Sequence, residues 1–107
     1  MCEASGHVSL STQGNTARVA FQGEIDLAMV DEVDRCVGAA LALPGVDAFV
    51  VDLANCTYLD SSGLRALLRA QHDAQRAELP LSITGVQGIV RRVIELTNLD
   101  RELPLAD

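Results

Sequence analysis

Thr57-Tyr58-Leu59-Asp60-Ser61-Ser62-Gly63-Leu64 joins two kinds of sequence. Upstream, Ala48-Phe49-Val50-Val51-Asp52-Leu53 is a short apolar run of buried-strand type, and downstream Leu64, Leu67 and Leu68 recur at helical spacing. The junction is therefore a strand exit, carried through Asn55, Cys56 and Thr57 into a helix that runs to about Glu78, with Pro80 marking its end. The first turn of a helix presents backbone N–H groups without intrahelical acceptors and the positive end of the macrodipole, so it accepts an anion without a dedicated cationic pocket. Ser61 either caps this helix or presents a hydroxyl, and after modification a phosphate, at its tip. That Asp60, Ser61 or Ser62 is simply an N-cap is the commoner reading for any single serine before an apolar helix, but capping alone leaves the rest of the string unexplained.

Working outward, Val8-Ser9-Leu10-Ser11 alternates as a strand and Gln13-Gly14-Asn15 supplies turn chemistry. The second arm of this hairpin sets Ala17, Val19 and Phe21 against Arg18, Ala20 and Gln22, and Gly23 is read as its end. From Leu27 to Leu43 the positions Val30, Val33, Val37, Ala40 and Leu41 form one helical stripe, with Asp26 as cap or first-turn acid and Pro44-Gly45 as the stop. Beyond the central helix, Leu81-Ser82-Ile83-Thr84-Gly85 is a short strand, Val86 to about Leu96 a further amphipathic helix, and Arg101 to Leu105 a candidate edge strand. Strands alternating with helices after a hairpin predict an α/β fold. Its sheet is mixed and parallel in its later part, with helices packed mainly on one face. Residues 1–6 are expected to be a flexible tail and residues 7–107 a single domain.

Apolar residues make up 49% of the 107 and aromatics only 3%, so the core must be aliphatic and rich in alanine. Fifteen acidic against eight basic residues give a net charge of −7, which repels phosphate polymers and anionic membranes and favours a protein partner. No stretch of eighteen apolar residues and no signal-type N-terminus is present, so the expected location is the cytoplasm. Cys2, Cys36 and Cys56 lack C-x-x-C spacing, and with His7 and His72 they offer no metal-ligand pattern. Cys36 and Cys56 are read as small core residues.

Asp60-Ser61-Ser62-Gly63-Leu64, taken with Gly23-Glu24-Ile25-Asp26, resembles the STAS domain of bacterial anti-sigma factor antagonists. In that family an apolar strand ends in Gly-Glu-Leu-Asp, a helix and a strand follow, and Asp-Ser-Ser-Gly-Leu opens the next helix. This chain keeps that order nearly end to end, with Ile25 in place of Leu, and ends at Asp107 where many members continue into a further helix. The resemblance implies that Ser61 is the phosphoacceptor for an anti-sigma factor that is also an ATP-dependent serine kinase. It implies that the unphosphorylated protein binds this partner and releases a sigma factor, that phosphorylation switches binding off, and that a phosphatase resets it. The partner-binding residues carried over are Gly23, Glu24, Asp26, Asp60, Ser61, Ser62, Gly63 and Leu64, and Arg65 is added from the chain itself.

Ser62 shares the hydroxyl chemistry, but its expected part is to satisfy first-turn donors. Gly63 is read as allowing close approach of a partner's backbone or a nucleotide phosphate, or as simple helix-start geometry. Arg65, Arg69, His72 and Arg76 form a basic stripe opposite Leu64, Leu67 and Leu68, of which Arg65 and Arg69 are expected to border the partner footprint. The chain is not expected to be an enzyme and no cofactor is predicted: neither serine has an evident base, G-x-S-x-G and glycine-rich phosphate loops are absent, and ATP must come with the kinase. The alternative is a STAS scaffold or regulatory subunit of a lipid-transport ATPase complex or a stress-sensing assembly. A small acyl or phosphate transfer enzyme ranks last.

Overall fold

The computed structural model describes residues 6–106, so the tail expected over residues 1–6 lies outside them except for Gly6. Strands β1 (His7–Gln13) and β2 (Thr16–Ile25) pair antiparallel across the turn at Gly14 and Asn15, with Gln13 opposite Thr16. Strand β3 (Ala48–Leu59) lies parallel to β2, and β4 (Leu81–Thr84) parallel to β3, giving the order β1-β2-β3-β4. Helix α1 (Val30–Ala42) makes the crossover from β2 to β3, and α2 (Ser61–Arg76) that from β3 to β4. Both crossovers step the same way along the sheet, so one handedness brings both helices to the same face. Helix α3 (Gly88–Leu96) follows β4.

The sheet's inward row explains why these segments became strands. Val19, Phe21, Phe49, Val51, Leu53 and Ile83 are fully buried, and their alternation with half-exposed neighbours is the period of a one-sided strand. Over them lie Val33, Val37 and Ala40 of α1, with Leu67 and the alanine ladder Ala66, Ala70 and Ala74 of α2. A methyl every fourth residue lets α2 approach the sheet closely, which is how a chain with so few aromatic residues closes its core. On the opposite face Arg18 of β2 pairs with Asp52 of β3.

Three strands depart from the sequence reading for local reasons. Strand β2 runs past Gly23 to Ile25: Gly23, at φ 74°, takes the left-handed conformation open to glycine opposite the second bulge of β3, and pairing resumes at Glu24 and Ile25. Strand β3 runs to Leu59 instead of giving way to a loop at residues 55–57. It gains one residue on β2 between the pairs Ala20–Asp52 and Gln22–Asn55, and another between Gly23–Cys56 and Glu24–Tyr58. These bulges stretch the inward spacing from two residues to three, so Leu53, Cys56 and Leu59 all face the core. Near the C-terminus the edge strand reduces to a single bridge, Leu105 to Ile83. Pro104 has no N–H to extend it, although its carbonyl accepts the Ile83 N–H at 3.0 Å.

Candidate functional site

Strands β2 and β3 leave the sheet side by side, Ile25 opposite Leu59, and each hands over to helix through an aspartate. After Ile25, the Asp26 carboxylate accepts the Ala28 N–H at 3.0 Å and caps a 3-10 turn, Leu27–Met29, that leads into α1. Helix α1 thus starts at Val30 instead of Leu27. After Leu59, the Asp60 carboxylate accepts the Gly63 N–H at 2.9 Å and its carbonyl accepts the Leu64 N–H at 2.9 Å. The Asp60 N–H in turn donates to the Ile25 carbonyl at 3.3 Å, tying the two exits together. Asp60 therefore does the capping that the sequence left open among Asp60, Ser61 and Ser62.

That assignment frees both hydroxyls. Ser61 and Ser62 occupy the first two positions of α2, Ser61 exposed and Ser62 half-buried, and neither side chain has a hydrogen bond among the described residues. Their backbone N–H groups have no acceptor four residues back within the helix and point where a bound oxyanion would sit. An Asp60→Ala variant should lose about 1 kcal/mol of unfolding free energy in urea titration, with Asp60→Ser recovering most of it. A loss below a few tenths would show that the cap contributes nothing.

Gly63 is closely approached from within the fold. A Cβ there would stand 2.8 Å from the Ile25 carbonyl oxygen and 2.9 Å from Leu59 Cδ2, so the missing side chain admits the protein's own β2 terminus. Leu64 is buried and supports the site from beneath, whereas Gly23 is half-buried and Glu24 exposed on the neighbouring strand end. The basic stripe also divides. Arg69 pairs with Asp34 of α1 at 3.2 Å, whereas Arg65 is exposed with no partner among the described residues. His72 and Arg76 are exposed further along α2.

Two exposed apolar side chains that the sequence reading passed over lie at the same two strand exits. Leu27, in the turn packed against α2, is 72% exposed, and Tyr58, two residues before Asp60, is 42% exposed. Leu27 falls off the stripe of Val33, Val37 and Ala40, and that offset was the available signal. The nearby Cys56 thiol is buried and donates to the Tyr58 carbonyl at 3.5 Å; burial pushes its pKa up to about 11, so it stays protonated at neutral pH. Cys36 packs at the core edge, its thiol likewise raised by burial and next by the Glu32 charge.

A concavity of about 470 Å³, lined by Gly88, Ile89, Arg91, Arg92 and Glu95, contains none of the serine-site residues. The elements that meet at the start of α2 form a surface instead: the two serine hydroxyls, Glu24, Asp26 and Asp60 at the strand ends, Arg65 one turn along α2, and the exposed apolar groups Leu27 and Tyr58. Such a surface can be modified or docked against. Among the described residues no helix is long and apolar enough to cross a membrane.

Comparison with known proteins agrees with this geometry. A family model described as "Mlab, STAS domain" matches residues 8–106. An anti-sigma-B factor antagonist of Staphylococcus aureus is 27% identical over 93 residues, which cover 87% of this chain and 85% of that protein. A STAS-domain containing protein of Pseudomonas aeruginosa is 28% identical over 91 residues, covering 85% of this chain and 88% of that one. The crystal structure of an anti-sigma factor antagonist from Mycobacterium paratuberculosis superimposes with a TM-score of 0.82 at 28% identity, covering 94% of this chain and 85% of that one.

Proposed function

Because this chain belongs to the STAS domain family, we propose that it is an anti-sigma factor antagonist switched by phosphorylation of Ser61. In this reading the unmodified protein binds an anti-sigma factor in the cytoplasm and so releases a sigma factor. The bound partner, acting as a serine kinase with its own ATP, transfers the γ-phosphoryl group to the Ser61 hydroxyl: the new O–P bond replaces the bond to ADP, and the serine proton is released. The antagonist itself is not an enzyme and holds no cofactor. A phosphatase hydrolyses the ester and restores binding.

The observation that carries the reading is an exposed, unbonded hydroxyl at the first position of α2 whose capping duty has passed to Asp60. The relatives named as antagonists support it, since they match along nearly the whole domain. Phosphorylation adds about −1.5 to −2 charges beside Glu24, Asp26 and Asp60. Leu27 and Tyr58 supply apolar contact area, and a partner seated on them would have to desolvate the phosphate as it docked.

Incubation with a kinase-type anti-sigma factor and ATP should yield one phosphopeptide containing Ser61, abolished by Ser61→Ala and retained in Ser62→Ala. Transfer that survives Ser61→Ala would reject the assignment of the residue. No transfer with any such kinase encoded alongside the protein would reject the switch and favour a STAS scaffold subunit.

A further inference from the structure

Granted a phosphate on Ser61, as proposed above, the surface carries a group placed to receive it. Arg65 follows Ser61 by four residues on α2, and residues so spaced lie one above the other with about 5–6 Å between Cβ atoms. Helical side chains lean toward the N-terminus, so the Arg65 side chain leans over the turn that bears Ser61. Both residues are exposed.

The other arginines near this part of the fold are committed. Arg18 pairs with Asp52, Arg35 with Glu32, and Arg69 holds both carboxylate oxygens of Asp34 at 3.2 and 3.3 Å. Arg65 has no partner among the described residues. The nearby carboxylates would repel a phosphate: Asp60 and Asp26 at the strand exits, Glu24 on the end of β2, and Asp31 in the first turn of α1. A guanidinium offers the planar donor pair that fits phosphate oxygens.

We propose that Arg65 captures the phosphate of phosphorylated Ser61 in an ion pair within α2, so that modification adds negative charge and also withdraws a free cation from the docking face. The switch then has two parts. The partner meets a new anion, and it loses an arginine that was available to its own acidic groups.

The test installs phosphoserine at position 61 during translation, without any kinase, so its failure is distinct from failure of the kinase reading. The second ionisation of the phosphate is followed by 31P NMR in the otherwise unaltered protein and in Arg65→Ala, Arg65→Lys and Arg76→Ala variants. A neighbouring cation favours the dianion, so removing Arg65 should raise the apparent phosphate pKa by roughly 0.3–0.7 unit, the scale of an exposed pair. Arg65→Lys keeps the charge without the fork and should give a smaller rise. Arg76 removes the same charge about 22 Å along the helix, beyond the roughly 8 Å screening length, and should leave the titration unmoved. Equal changes in Arg65→Ala and Arg76→Ala, or none in either, overturn the proposal. All four proteins are compared by circular dichroism at matched pH; Arg65→Gln replaces Arg65→Ala in the same titration if the latter fails to fold.

Discussion

Gly85→Ala is expected to lower the unfolding free energy by roughly 3–5 kcal/mol, combining backbone strain with overpacking. Gly85 follows β4 at φ +74°, a conformation that L side chains rarely adopt, and a Cβ there would lie 2.5 Å from the backbone nitrogen of Ala54 and 2.7 Å from its Cα. Neither atom belongs to a flexible side chain that could swing aside. Ala54 sits in the first bulge of β3, fixed by its N–H to the Asp52 carboxylate at 2.9 Å and by its carbonyl, which accepts the Gln87 side chain at 2.8 Å. Relief therefore requires moving the bulge or the start of α3. A loss of this size is a large part of the roughly 5–15 kcal/mol that holds a domain together. Urea denaturation monitored by circular dichroism measures it, and a change under 1 kcal/mol would mean that the approach of Gly85 to Ala54 is far looser than described.

Phosphorylation of Ser61 is expected to weaken binding of the anti-sigma partner on the order of a hundredfold, about 2.7 kcal/mol, because like charges brought together at an interface cost several kcal/mol. Ser61→Glu, with one charge in place of about −1.5 to −2, should lose a smaller factor, about tenfold. Ser61→Ala should bind within a few-fold of the unmodified protein, since the hydroxyl makes no hydrogen bond among the described residues whose loss would disturb the helix start. Part of the loss should recover as salt is raised, because the site is exposed and screening reaches it. Isothermal titration calorimetry at two ionic strengths reads all of these. Equal affinities for the phosphorylated and unmodified proteins would leave Ser61 without a switching role.

Much of the fold is legible in residue order because local rules and global packing agree. The inward alternation of Ala17, Val19 and Phe21, the stripe of Val33, Val37 and Ala40, and the stop at Pro44-Gly45 each follow from short-range periodicity that the tertiary core then uses. The segment from Ala54 to Tyr58 resisted the same reading. The residues it turns to the core, Leu53, Cys56 and Leu59, recur every third position, a spacing that belongs to neither regular element, and it becomes strand only because β2 alongside it is shorter by the two bulged residues. The helix from Leu27 was placed three residues early for a related reason: Asp26 caps a 3-10 turn that positions Leu27 and Met29 near α2 before the α-helix begins.

At the site, the motif marked where chemistry was to be sought, but it did not divide the labour within itself. Which of Asp60, Ser61 and Ser62 caps the helix depends on backbone angles at the strand exit, and Asp60, extended at φ −91° and ψ −173°, is the one in place to reach Gly63. Whether Arg69 is free depends on how α1 lies against α2, which sets Asp34 opposite it.

The order of elements, the aliphatic core and the serine-bearing helix start were determined by the sequence alone, because periodicity and turn chemistry act over a few residues. The tertiary structure alone decided that Gly63 yields to Ile25 and that, among the described residues, Ser61 is left exposed and unbonded and Arg65 keeps no partner. These outcomes turn on distances between segments far apart in the chain, and such distances exist only once the sheet and its two covering helices have closed on each other.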